Sequence, residues 1–182
     1  MAEKNKYDMD FGRELLDDFN KLPDKAKELF FAYCVGIIHG NKSDIQEFVS
    51  IIGFLVEGDS TIEQIFAFAY NLVLWDNDFI QTEWAKYEAQ KEISVNNRKY
   101  RADFYFHTPS KNGSLDLIVE CDGHDFHKLT KQQVEKDNER DFDLKRAGYE
   151  VIHFSGSQIY KDPYGCAEQV FEYLKGKCDG SL

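Results

Sequence analysis

The chain has 182 residues, enough for one ordinary domain with a real core and too few for two large ones. Hydrophobic residues make up 42% and aromatics 15%, which excludes wholesale disorder. With 22 basic against 33 acidic side chains the net charge is −11, so a general basic coat for gripping nucleic acid is excluded as well.

The opening MAEKNKYDMDFGRELLDDF is too charged for a signal peptide, and no apolar run nears the twenty or so residues of a membrane span. Cys34, Cys121, Cys166 and Cys178 are scattered, which fits free thiols in a reducing cytoplasm. Residues 1–94 carry twice as many acidic as basic side chains, whereas residues 95–182 are close to balance.

The first half reads as helices. Phe11, Leu15, Leu16, Phe19 and Leu22 recur at helical spacing up to Pro23, and Asp24 can cap a second helix ending near Gly40. Ser43 with Gln46 predicts a third helix. Ser60 with Glu63 repeats that capping-box pattern before a segment apolar on nearly every side, which predicts a buried helix. Beyond Trp84 the period changes. YRADFYF alternates, placing Tyr100, Ala102, Phe104 and Phe106 on one face and Arg101, Asp103 and Tyr105 on the other. HTPSKNGS supplies a hairpin through Asn112-Gly113, and LDLIVECDG returns as a strand. Its Leu115, Leu117, Val119 and Cys121 share a face opposite Asp116, Ile118, Glu120 and Asp122. A helix follows over roughly 130–147, stopped by Gly148, with Val134, Asp137, Asp141 and Leu144 along one stripe. YEVIHF, apolar on both faces, suits the middle of a sheet, and YGCAEQVFEYL closes the chain as an amphipathic helix. The expected fold class is α/β (α+β), a central mixed sheet flanked by helices.

If 100–106 and 115–122 are hairpin neighbours, Asp103, Glu120 and Asp122 converge on one sheet face. Three close carboxylates repel unless a cation or a shared proton joins them, and hard oxygens with room for water and phosphate describe a Mg²⁺ site, with Mn²⁺ as a substitute. Gly123 lets the chain turn at once, bringing His124 and His127 alongside. A zinc site at Cys121, His124 and His127 lacks a fourth ligand. Glu63 is explained by its capping box or by a place in the site. His39, His107 and His153 read as structural or surface residues.

YRADFYF, LIVECDGHDFH and EKDNERDFDLKRAGYEVIHF together resemble the PD-(D/E)XK nuclease superfamily, in particular the branch related to very-short-patch repair endonucleases and small bacterial nuclease-like domains. Arg101-Ala102-Asp103-Phe104, Val119-Glu120-Cys121-Asp122-Gly123 with His127, Asp137 through Arg140-Asp141 to Leu144, and Gly148-Tyr149-Glu150-Val151 match its motifs in order. Ser60-Thr61-Ile62-Glu63 is similar to its S-P-I-E helix start.

The resemblance implies a restriction-endonuclease-like core over residues 58–182, with residues 1–57 as an all-helical N-terminal extension. It implies a Mg²⁺-dependent phosphodiesterase acting on nucleic acid, DNA ahead of RNA. Asp103 and Glu120 match the metal ligands, with the Cys121 carbonyl as a third contact. Asp122 stands where the superfamily has a lysine, and His127 matches the histidine that serves in the patch-repair branch as base or proton shuttle. Glu63 and Asp122 are placed for a second ion or for outer waters. The alternative is a nuclease relative that no longer cuts and serves as a nucleic-acid-binding or assembly module. On either reading the acidic N-terminal helices offer a surface for a protein partner or for self-association.

Overall fold

A computed structural model describes residues 19–40, 58–77, 83–110, 113–123 and 131–178, and within these every side chain except those of 33–40 and 131–133. The helices expected before Pro23 and after Ser43 lie largely or wholly outside these residues, as do His124 and His127. Helix α1 (Asp24–Gly40) starts straight after Pro23. Helix α2 (Thr61–Asp76) is capped by Ser60, whose hydroxyl accepts the Glu63 N–H at 3.2 Å. Its Ile65 through Leu74 are all buried, as the uniformly apolar sequence requires.

Four strands form the sheet, in the order β1-β2-β3-β4: β1 (Tyr87–Val95), β2 (Arg98–Ser110), β3 (Gly113–Asp122) and β4 (Glu150–Ser155). The first three are antiparallel neighbours, and β4 runs parallel to β3 after a crossover through helix α3 (Lys131–Arg146). Helix α4 (Gly156–Lys161) and helix α5 (Pro163–Lys177) complete the described chain. The sheet is thus mixed and flanked by helices, an α+β fold.

Two cores result. Helices α2 and α5 cover one face, where Phe66, Tyr70, Phe104, Phe106, Leu117, Val119 and Phe171 are buried together. Phe66 and Phe104 pack at a tilt with ring centroids 5.1 Å apart. Burying each such ring contributes roughly 1.5–3 kcal/mol. Helix α3 covers the other face through Leu144, over Ile93, Val95, Ala102 and Ile118. Leu22 and Ala26 belong to the first core, so the start of α1 is packed into it, against helix α2.

Several expectations are corrected. Ala102 does not share a face with Phe104 and Phe106; it packs beneath α3. In β1, likewise, Tyr87 and Ala89 face the α2 side while Ile93 and Val95 face α3. Strict alternation would put all four together. The inversion falls at Gln90, whose φ of +55° is left-handed in mid-strand, between the pairs Ala89↔Phe104 and Lys91↔Ala102.

Strand β1 itself escaped the sequence reading, since YEAQKEISV has little apolar alternation. Asn96 and Asn97, both at positive φ, form the tight turn that should have signalled it. Pro109 lies inside β2, not in the turn, and pairs with Ser114 beyond the end of the β1 ladder, where its missing N–H costs nothing. Strand β4 pairs only with β3 among the described residues. Both its faces are apolar because helices cover both sides, not because strands flank it.

Candidate metal and acid site

The sheet brings Asp103 and Glu120 together with Glu63 from the start of α2. Asp103 lies at the face inversion of β2, where its Oδ2 accepts the Cys121 N–H of β3 at 2.8 Å. Burial raises its pKa, the bond from Cys121 opposes that, and the charge of Glu63 adds to the rise. Glu120, 5% exposed, is pushed up by burial to about 7, although Arg140 pulls the other way. Arg140 reaches down from α3 to pair with Glu120 and donates to the Arg101 carbonyl at 2.9 Å.

Glu63 is 7% exposed, and its role differs from a simple capping box. Its carboxylate accepts the Asp59 N–H at 2.7 Å and the Gln90 side-chain amide at 2.6 Å. Gly58, at φ +115°, lets the preceding loop lie against it; a Cβ there would sit 2.6 Å from the Glu63 Cβ.

Asp122 points to the α3 side but is drawn into a different group. His153 of β4 has Nδ1 3.1 Å from Asp122 Oδ2 and Nε2 3.1 Å from Asp141 Oδ2. The hydrogen bond that its ring donates to Asp122 and the two negative charges raise its pKa, against partial burial. These residues line a cleft of about 420 Å³ with Val134, Asp137, Asn138 and Arg140. The expected sheet-facing stripe of α3 therefore holds at Leu144 and opens toward its N-terminal end, where Val134 and Asp137 are exposed.

The sequence reading missed three participants. Gln90 sits on the unpredicted strand, Arg140 enters the sequence only as part of a motif, and His153 reads there as a structural or surface residue. No local spacing marks Glu120 and His153 as neighbours; the parallel pairing of β3 with β4 sets them side by side. Four of the cations in the second half of the chain, Arg98, Lys99, Arg101 and Lys145, are held by carboxylates. Arg98 meets Glu139 and Asp143, Lys99 meets Glu92, Arg101 meets Asp59, and Lys145 meets Asp141. The Cys121 thiol is buried on the α2 side and its pKa is raised, so it stays protonated, and Cys166 and Cys178 are also buried.

Among the described residues no three His, Cys, Asp or Glu side chains are already arranged around an ion position. The donor chemistry nonetheless fits a hard cation. Asp103 and Glu120 are carboxylates with heightened proton affinity, and the Gln90 Oε1 beside Glu63 is buried without a hydrogen-bond partner. No helix among the described residues is long and apolar enough to cross a membrane.

A four-stranded mixed sheet with acids at the junction of its two middle strands, backed by helices on both faces, is consistent with a restriction-endonuclease-like core. A protein-family model described as REase_MTES_1575 matches residues 78–174, and the chain belongs to that restriction-endonuclease-like family. It matches no curated protein and no solved structure.

Proposed function

We propose that the chain is a metal-dependent endonuclease that hydrolyses phosphodiester bonds in nucleic acid, DNA ahead of RNA. The observation that carries this is the pair Asp103 and Glu120, two carboxylates on adjacent strands of a nuclease-family sheet, each with its charged form disfavoured by burial. Their side chains, with the carbonyl of Cys121, would hold Mg²⁺ or Mn²⁺. A bound ion supplies Lewis-acid polarisation of the phosphate and lowers the pKa of an attacking water.

The chain's own residues supply the rest. With Asp122 where the superfamily has a lysine, Arg140 is the cation beside Glu120, and its planar fork suits a phosphate oxygen once Glu120 turns to the ion. His127, matched to the histidine of patch-repair enzymes, takes the proton-transfer role. Glu63 and Asp122 orient outer waters, and the Asp122–His153–Asp141 contacts tie β4 to α3 at the cleft wall.

The test is cleavage of plasmid DNA and of structured RNA with Mg²⁺ or Mn²⁺, by the parent chain and by Asp103→Ala and Glu120→Ala. Loss of cleavage with a retained melting transition is expected, and parent-level rates in both variants would refute the assignment. Asp122 in the lysine position, together with the net charge of −11, favours a second reading as a non-cleaving binding or assembly module. That reading wins if neither ion raises the melting temperature nor supports cleavage of any substrate.

A further inference from the structure

We infer that Gln90 is a positioning residue of the Asp103–Glu120 site, its amide orienting Glu63 and its carbonyl oxygen facing the space that a cation or its water would occupy. This rests on the metal-site reading above and adds to it a residue from a strand outside the recognised motifs.

Three independent features meet at this position. Gln90 lies directly across from Asp103, between the paired residues Ala89↔Phe104 and Lys91↔Ala102. Its φ of +55° is a strained conformation for a side chain with a Cβ, and no turn requires it. Its Nε2 donates to Glu63 Oε2 at 2.6 Å, while its Oε1 is buried with no hydrogen-bond partner.

The strain has a structural use, since the left-handed residue inverts the faces of β1 and lets both cores form. Glycine or asparagine would make that inversion at lower cost. A glutamine is needed only if its side chain is used. The donor end is used, on a carboxylate that in turn bears on Asp103. The acceptor end is held away from water with nothing to accept, which is costly in a finished core and reasonable in a site that awaits a ligand. Backbone strain and an orphan oxygen coinciding beside three acids is the pattern of a preorganised site.

Two variants separate this role from a structural one. Gln90→Met keeps the volume and the backbone strain but removes both polar ends; Gln90→Gly removes the side chain and relieves the strain. The full chain is titrated with Mn²⁺ by calorimetry, and DNA cleavage in Mn²⁺ is followed at varied substrate concentration. Expected in both variants is a fall of about tenfold or more in Mn²⁺ affinity, with kcat lowered and KM for DNA unchanged. Gln90→Gly should melt no lower than Gln90→Met. Mn²⁺ affinity and kcat equal to the parent in either folded variant would overturn the inference while leaving the nuclease reading intact. A parent chain that neither binds Mn²⁺ nor cleaves would overturn both.

Discussion

Glu120 shows most directly what burial does to a single group. Its pKa rises from 4.5 to about 7, so between those values the folded protein keeps a proton that the unfolded chain has lost. Stability must therefore fall as pH climbs through that window, by roughly 3 kcal/mol if the full shift is expressed. Asp103, also raised, acts in the same direction at lower pH. His153, raised by its two carboxylates, contributes stability that is present below its unfolded pKa and is lost as pH climbs through its higher folded value. Urea unfolding of the metal-free chain between pH 4.5 and 8 should show this decline, and Glu120→Gln should flatten the part between about 5 and 7. A parent chain whose stability increases over that range would contradict the burial argument.

Arg140 is the counterpart. Replacing it by Ala leaves the Glu120 charge buried without its partner, and should cost about 2–4 kcal/mol at pH 8. The cost should shrink by pH 5, where Glu120 takes up a proton instead. A pH-independent loss would mean that Arg140 stabilises chiefly through packing.

At the scale of elements, the start of α2 and the end of α3 depend on backbone that only glycine accepts easily. Gly148, at φ +95°, lets the Tyr149 N–H return to the Leu144 carbonyl at 3.1 Å and closes α3 just before β4. Gly58 is tighter. Gly58→Ala meets both an unfavourable φ and the Glu63 Cβ at 2.6 Å, so the loop must shift, at a cost of about 1–3 kcal/mol. Because the displaced neighbour is Glu63, metal-dependent cleavage should fall further than stability does. Gly148→Ala, remote from the acids, should lower the melting temperature alone. Equal effects of the two substitutions on cleavage per folded molecule would separate Glu63 from the site.

Elements also show why some structure was legible and some was not. Helix α2, strand β3 and the end of α3 carry strong local signals: an unbroken apolar run, alternation on a buried strand and a glycine stop. Strand β1 carries none of comparable strength. Half of it lies over one core and half over the other, so its apolar residues never form a single periodic row. Strand β4 is apolar on both faces yet sits at the sheet edge among the described residues, because covering helices and flanking strands leave the same mark on a sequence.

For the whole molecule, the first helix is the test of how far the described chain is one packed unit. Leu22 and Ala26 lie in the main core, and Phe19, Leu29 and Phe30 pack against it. A chain starting at residue 58 should therefore melt at a lower temperature than the full one, because apolar area of the core returns to water. An unchanged melting temperature would mean that this contact contributes little. Charge acts at the same scale. With −11 overall and Arg98, Lys99, Arg101 and Lys145 already paired with carboxylates, any grip on nucleic acid depends on few phosphate contacts, so its salt dependence should be shallow.

Composition and local periodicity were enough to determine the α+β class, the longer helices and strands β2, β3 and β4, and the order of the motifs carried the resemblance to the restriction-endonuclease-like family that the family model bears out. Those properties are written in near neighbours along the chain, where spacing alone fixes which side chains share a face. The tertiary structure alone decided that the faces of β1 and β2 invert at Gln90 and Asp103. It also decided that Arg140 and not a lysine lies beside Glu120, and that Asp122 is held by His153. Each of these joins residues far apart in the sequence, and only packing the sheet between two helical layers brings them within hydrogen-bonding distance.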